Sequence, residues 1–260
     1  MTALTSGSHR LQATVQATAA YLRLEVPRTL RNRRLLMLTV VFPVAFYLLF
    51  TRVLTGGVQF GNDERAFVMV SMAAYGAIGA TLSAAVRVAM ERTSGWTRQL
   101  RVTPMPALGY VTTKLVTAYL AAIPAIVLVM LAALTANQVT LPPFTWLSIF
   151  VALSLGALPF AALGVAIGYV FDESTAQLVF TISFVGLAVL GGLWAPISTF
   201  PEGLATMARM LPSFHFANLG WSALAGGGPD ASDALALLAY GLVFVAIVAW
   251  RYRVGEQLGR

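Results

Sequence analysis

The run from Leu115 to Phe171 contains no charged side chain, and this constrains the fold more than any other feature. A membrane-spanning helix needs about 20 mostly apolar residues, so the run is too long for one span and suits two. Asn137-Gln138 followed by Pro142-Pro143 is a turn signal that predicts the break between them. Hydrophobic residues make up 58% of the chain and charged residues 10%, against about 25% charge in soluble domains. So little charge cannot cover a water-facing surface, which excludes a soluble enzyme and predicts a membrane protein.

Apolar stretches over the rest of the chain predict an all-α integral membrane protein with six transmembrane helices. The spans are predicted at about 35–54, 66–88, 105–135, 145–171, 174–195 and 232–250, within a transmembrane domain covering 35–250. Residues 1–9 are predicted to be a disordered tail, 10–34 an interfacial helix, and 251–260 a cytoplasmic tail. The segment 196–224 contains prolines and charges, so it is either a seventh span or a broken or re-entrant hairpin.

Charge placement distinguishes these alternatives. Arginines cluster before the first span, between spans two and three, and after the last, whereas the other side carries only Arg52, Arg65 and Arg209. Basic short loops stay in the cytoplasm, so both termini are expected there and the number of crossings is even. Six spans fit this expectation and seven do not. The net charge of +7 is assigned to the membrane surface, and no nucleic-acid partner is expected.

The first 30 residues lack the apolar core of a cleavable signal peptide. Leu22 and Val26 belong to a set of apolar residues at helical spacing among arginines, which predicts an amphipathic helix on the inner leaflet. Pro27 is expected to kink this helix or to start a second one.

Several classes of chemistry are missing from the sequence. There is no cysteine and there are two distant histidines, so no metal site is predicted. Lys114 is the only lysine and follows no glycine-rich loop, so the chain lacks the phosphate-binding motif of an ATPase. Intramembrane charge usually marks ion-coupled transport, and here we expect Lys114 to extend to the lipid headgroups rather than form a buried ion site.

The segment from Met90 to Pro104 is the most informative. Gly95 is expected to end the helix that continues from span two, and Trp96 and Leu100 share one face of a following turn. Thr103 and Pro104 supply an N-cap and a first-turn signal for span three. Such an element suits docking of a cytosolic partner, although a basic loop resting on lipid headgroups explains the composition equally well.

This segment resembles the cytoplasmic loop of type-2 ABC (ATP-binding cassette) transporter permeases, whose pattern is close to E-R-x-x-G-T-x-x-x-L-x-x-T-P. Glu91, Arg92 and Gly95 stand at matching places, and Trp96 replaces the more usual threonine. The resemblance extends over about residues 20–254 and includes the stretch from Gly192 to Asn218, which in the family forms paired re-entrant helices at the outer face. It therefore implies six spans with a re-entrant segment at about 196–224.

The resemblance implies a permease without its own ATPase activity or cofactor, with ATP and Mg on a partner chain. Two ATPase subunits would dock under two permease chains, identical or related, in a bacterial cell membrane. The implied coupling loop contains Glu91, Arg92, Gly95, Trp96, Gln99, Leu100, Thr103 and Pro104.

The function expected from this resemblance is export of an amphipathic small molecule such as a drug, an antibiotic or a lipid-like compound. Ser71, Tyr75, Thr181 and Phe184 are candidates for the substrate path, although hydroxyls in spans often bond to their own helix. The alternatives are a polysaccharide or lipid exporter of the same family, a membrane scaffold that recruits a cytosolic partner, and a secondary transporter.

Overall fold

A computed structural model describes residues 16–29, 31–32, 37–53, 60–96, 99 and 107–257, and these are helical with short connections. A helix over residues 16–29, here α1, comes first and continues through Pro27, which neither ends it nor starts another. The remaining helices are α2 (Phe42–Arg52, preceded by a π-helical turn at Met37–Val41), α3 (Asn62–Leu82), α4 (Ala84–Thr93), α5 (Ala107–Thr135), α6 (Pro143–Gly156), α7 (Leu158–Val170), α8 (Glu173–Leu190), α9 (Glu202–Met210), α10 (Pro212–Leu224) and α11 (Ala231–Gln257).

Within the described ranges, five helical segments are long and apolar enough to cross a membrane. They are Asn62–Thr93, Gly109–Thr135, Pro143–Val170, Glu173–Leu190 and Ala231–Arg251. Each coincides with one of the predicted spans, so a multi-pass, all-helical membrane protein is confirmed. The span predicted at 66–88 is longer than expected, because α3 and α4 together extend it to Thr93.

The first predicted span, at 35–54, is not confirmed. Its described apolar helix, Thr39–Arg52, is shorter than the five candidate spans, and residues 33–36 and 54–59 lie outside the described part of the chain. The count of six spans therefore stays a prediction.

The predicted break in the charge-free run lies at residues 136–142, between α5 and α6. Gln138 adopts a left-handed conformation there, with φ of 52°. Arg52 donates through Nε to Asn137 Oδ1 at 2.8 Å, and Arg65 donates to the Asn137 carbonyl at 3.0 Å. These cations lie beside the negative end of the α5 dipole, which is a favourable place for them.

The candidate span Pro143–Val170 is interrupted at Ala157, where α6 ends and α7 begins. Pro159 stands in the first turn of α7, where its missing N–H leaves no hydrogen bond unmade. The break allows the two halves to pack against different neighbours: α6 lies mainly on α10, and α7 lies on α4 and α11.

Helix α7 packs closely on α3 and α4 through two glycines. A methyl group at Gly164 would lie 2.6 Å from the Thr81 carbonyl oxygen, and one at Gly168 would lie 2.6 Å from the Ala85 carbonyl oxygen. Small residues four apart let helix backbones approach each other in a membrane, so this pair is a packing motif.

The segment predicted to be re-entrant contains α9 and α10, two helices shorter than the candidate spans. Asp233, at the start of α11, bonds His215 Nδ1 at 2.6 Å and accepts from Asn218 Nδ2 at 2.7 Å, which ties α10 to α11. The segment's position relative to the membrane stays a prediction.

Asp172 caps the N-terminus of α8. Hydrogen bonds from the Thr175 amide and from neighbouring hydroxyls hold the pKa of the Asp172 carboxyl below its usual range.

We expect Gly164→Ala to destabilise the chain, because the new methyl group would push α7 off the Thr81 carbonyl. Overpacking of this kind costs about 1–3 kcal/mol, measurable by thermal unfolding in detergent. Gly186→Ala is the matched control, since nothing lies within 4 Å of the position that its methyl group would take on α8. Equal destabilisation of both variants would contradict the close packing of α7.

Candidate functional site

The functional residues predicted around position 91 begin inside a helix rather than in a loop. Glu91 lies in the last turn of α4 and is only 8% exposed. Its Oε1 accepts a hydrogen bond from Lys114 Nζ at 2.6 Å, and its Oε2 accepts one from the Tyr110 hydroxyl at 2.7 Å. Glu91 therefore joins the end of α4 to the beginning of α5.

Lys114 contradicts the expectation that it extends to the headgroups. Its side chain is 2% exposed, and its ammonium group donates to Glu25 of α1 as well as to Glu91. The sequence argument failed because α1 covers this part of α5 and brings a second carboxylate to it. A buried ammonium group is strongly disfavoured unless it is paired, and here two carboxylates from different helices pair with it.

Two tyrosine rings complete the surroundings of Lys114. Its Nζ lies 5.6 Å from the centroid of the Tyr21 ring and 5.4 Å from that of Tyr110, which are cation–π distances. The two rings stack on each other with centroids 6.4 Å apart. Burial raises the pKa of the Tyr21 hydroxyl, and the Lys114 charge opposes this shift. Tyr21 and Glu25 together fix α1 against α5.

Two arginines lie near this cluster, in which two carboxylates surround one ammonium group. Arg28 Nη1 lies 4.0 Å from Glu25 Oε2 at the exposed edge. Arg87 interacts electrostatically with Glu25 and Glu91, and its Nη1 donates to Ser83 Oγ at 3.1 Å. We call Glu25, Glu91, Lys114, Tyr21 and Tyr110 the ionic cluster.

Arg92, the next residue, contacts a different helix. Its guanidinium donates to the carbonyl oxygens of Gly168 at 2.7 Å and Tyr169 at 2.6 Å, at the C-terminal end of α7. Arg251 of α11 donates to the neighbouring Val170 carbonyl at 3.4 Å. Cations at a helix C-terminus satisfy its unpaired carbonyls and interact favourably with its dipole. The last turn of α4 therefore contacts α5 through Glu91 and α7 through Arg92, and Lys114 links it further to Glu25 of α1.

The rest of the predicted segment is described in part. Gly95 has φ of +78°, and α4 ends at Thr93, so Gly95 terminates the helix as predicted. Trp96 is partly exposed and lies within interaction range of the Tyr21 hydroxyl. Gln99 is exposed. Leu100, Thr103 and Pro104 lie outside the described residues, and their predicted roles stay predictions.

The four predicted substrate-path residues lie on two helices, Ser71 and Tyr75 on α3 and Thr181 and Phe184 on α8, and their role stays a prediction. Ser71 is buried and donates to the Phe67 carbonyl at 3.0 Å, while Thr181 is exposed on α8 and donates to the Gln177 carbonyl at 2.9 Å. Both hydroxyls thus bond to their own helix. Tyr75 and Phe184 do meet: their rings stack with centroids 4.6 Å apart.

Phe46 and Trp194, which were not predicted from the sequence, complete an aromatic cluster with Tyr75 and Phe184. Phe46 lies 6.3 Å from Tyr75 and 5.8 Å from Trp194, centroid to centroid, and Tyr75 lies 5.7 Å from Trp194. The cluster joins α2, α3, α8 and the connection after α8. Phenylalanines at i, i+4 spacing in α2 were a sequence signal for a packed aromatic face, although they do not reveal its partners.

Comparison with known proteins gives two findings. A family model described as "ABC-2 family transporter protein" matches residues 58–250. The chain is also 30% identical over 235 residues to "Putative transport permease YvfS" of Bacillus subtilis (strain 168), covering 90% of this chain and 96% of that protein.

We expect Lys114→Met to destabilise the chain strongly, because Glu25 and Glu91 would be left buried without their shared cation. Removing one partner of a buried ion pair costs about 3–5 kcal/mol, measurable as a lower denaturation midpoint by tryptophan fluorescence in detergent. Arg28→Gln is the control, since the Arg28 side chain is 69% exposed and surface changes usually stay within about 0.5 kcal/mol. Wild-type stability of Lys114→Met would show that the ionic cluster does not hold these helices together.

Proposed function

Because this chain belongs to the ABC-2 family of transporter proteins, we propose that it is the permease subunit of an exporter for amphipathic small molecules. Its proposed energy source is a pair of separate ATPase chains that bind ATP and Mg. Its proposed assembly has two permease chains, identical or related, in a bacterial cell membrane with both termini in the cytoplasm.

The observation that carries the proposal is the double attachment of the last turn of α4. Glu91 connects this turn to Lys114 and, through it, to Glu25 of α1, while Arg92 connects it to the end of α7. Gly95 follows directly and leads into the segment proposed to dock on the ATPase. A displacement of that segment would therefore reach three neighbouring helices through short, charged contacts.

Charged contacts suit this transmission because they tolerate little change in length. The Glu91–Lys114 bond is buried, so separating its partners would leave their charges poorly compensated. Moving α4 with its partners is thus less costly than moving it past them. In this proposal, ATP-driven motion of the docking segment shifts α1, α4 and α5 together.

Helix α8 is the proposed wall of the substrate path. It is the least buried of the five candidate spans, yet Gln177 and Thr181 lie exposed on it, with Gln177 Nε2 3.4 Å from Thr181 Oγ1. Polar side chains within membrane helices usually face a bundle interior or a water-filled cavity rather than lipid. We therefore place this face of α8 towards the second permease chain, with the path between the two copies.

The aromatic cluster next to this face indicates the substrate class. The rings of Tyr75 and Phe184 offer flat apolar contact, and Thr181 offers a hydroxyl one turn before Phe184. Aromatic rings beside neutral polar groups suit an amphipathic molecule with a planar apolar part. A polysaccharide would require more hydrogen-bonding groups than these residues provide, which favours a small-molecule substrate.

Purification from the native host in mild detergent distinguishes this proposal from the scaffold and secondary-transporter alternatives. A permease should bring down an ATPase subunit in stoichiometric amount, and amphipathic compounds should change its ATP hydrolysis rate. A scaffold would recruit a partner whose rate no compound changes. A secondary transporter would lose its transport when the proton gradient is dissipated, with ATP still present.

We expect Gly95→Val to impair ATP-driven export, because a β-branched residue is strained at φ of +78°. Left-handed backbone costs most residues roughly 1–2 kcal/mol, whereas asparagine adopts it more readily. Gly95→Asn is thus the matched control, and no atom of the described residues lies within 4 Å of the position that its side chain would take. Export of a fluorescent amphipathic dye from cells expressing both subunits is the measurement, with expression and melting temperature checked for each variant. If Gly95→Val exports as well as Gly95→Asn, the backbone at Gly95 plays no part in coupling.

We expect Phe184→Ala to alter export without affecting recruitment of the ATPase. Loss of one aromatic pair is worth about 0.5–1.5 kcal/mol, so the apparent affinity for an aromatic dye should fall by roughly two- to tenfold. Leu178→Ala, on the same helix and 59% exposed, is the control. Equal dye export by the two variants would remove the aromatic cluster from the proposed path.

A further inference from the structure

A separate cavity lies on another part of the bundle. It has a volume of about 440 Å³ and is enclosed by α5, α6, α7, α10 and α11. No residue of α2, α3 or α8 is among the described residues that line it. It is therefore distinct from the aromatic cluster and from the proposed substrate path.

The floor of this cavity is formed at the break between α6 and α7. Gly156 and Pro159 lie on either side of the break, and Gly241 of α11 faces Pro159, with a methyl group at Gly241 falling 3.6 Å from Pro159 Cγ. Gly156, Pro159 and Gly241 have small side chains or none, so they leave a space at the break. Larger residues on an uninterrupted helix would fill this space. The cavity thus follows from the same interruption that divides the span.

The walls are apolar. Among the described lining residues, Tyr119 supplies the one polar side chain, and the rest are aliphatic or glycine. Leu155, Leu238 and Leu242 line the opening and are more than half exposed, so the cavity is a groove on the outside of the chain. Water has too few polar partners there to be held, and an empty groove would forfeit dispersion contacts along its walls.

The dimensions of the groove match a single hydrocarbon chain. Its α11 wall extends from Ala234 to Val245, which at 1.5 Å per residue is about 16 Å, roughly half the hydrocarbon thickness of a bilayer. The three helices that supply most of the lining belong to candidate membrane spans. The groove therefore lies at the depth of lipid acyl chains.

We propose that this groove is a binding site for one acyl chain of a membrane phospholipid, held for longer than the lipids around it. The chain enters from the end where α11 begins, because Ala234 is three residues from the start of the candidate span at Ala231, whereas Val245 is six residues from its end at Arg251. The headgroup lies at that end, beside the turn that precedes α11. This site does not depend on the proposed transport function.

The test is photolabelling of the whole chain in vesicles of phosphatidylethanolamine and phosphatidylglycerol that contain a trace of phosphatidylcholine with a diazirine in its acyl chain. Labelled peptides are identified by mass spectrometry. We expect labelling to concentrate on the stretch around Leu238 and Leu242 and on the part of α5 near Tyr119. Labelling spread evenly over the exposed faces of α8 and α11 would overturn the proposal, because it would show ordinary lipid contact only.

A substitution that fills the groove gives a second test of the proposal. Gly241→Leu places a side chain in the groove, and its first carbon lies at ordinary contact distance from Pro159. If this side chain keeps roughly two methylene groups of the lipid out of the groove, labelling of the groove peptides should fall about tenfold. Gly186→Leu is the matched control, a glycine-to-leucine change on α8 with open space around it. Unchanged labelling in folded Gly241→Leu would also overturn the proposal. Native mass spectrometry of both variants reports whether a phospholipid stays bound in detergent.

Discussion

The burial of one ammonium group constrains the whole end of the bundle where α1, α4 and α5 meet. Lys114 cannot be charged and enclosed unless Glu25 and Glu91 are both in place. Each carboxylate sits on a different helix, so satisfying one cation fixes the relative positions of three helices. The two stacked tyrosines add apolar contact beside the charge at cation–π distance. An apolar core alone would permit these helices to slide, whereas the ionic cluster specifies one arrangement.

The sequence predicted well the features that depend on neighbouring residues. The absence of charge over Leu115–Phe171 and the Pro142-Pro143 signal placed a break that the structure contains, and Gly95 ends its helix as predicted. The ionic cluster could not be predicted in this way, because Glu25 and Lys114 are 89 residues apart in the chain. Lys114 near the end of an apolar run fits headgroup contact equally well until the position of α1 is known. The first span, predicted at 35–54, stays a prediction, because the described helix Thr39–Arg52 adjoins residues outside the described part of the chain.

The aromatic cluster and the proposed acyl-chain groove lie on different faces of the bundle and suit different ligands. The aromatic cluster lies where α2, α3 and α8 meet, beside exposed polar residues, and the acyl-chain groove lies between α5, α7 and α11 without them. Stacked rings are rigid and selective in shape, while an aliphatic groove accepts any flexible chain. The close contact of Gly164 and Gly168 with α3 and α4 separates the two faces.

The helical segment from Asn62 to Thr93, formed by α3 and α4 with a turn at Ser83 between them, is long for a membrane span. Its 32 residues extend about 48 Å, against roughly 30 Å of hydrocarbon. Even a tilt of 40°, the upper end of the usual range, leaves about 37 Å along the membrane normal. A segment of this length must project from the hydrocarbon at one end or at both. Glu91 and Arg92 lie in the last turn of this segment, so a thinner or thicker bilayer would change how far these two side chains stand from the hydrocarbon.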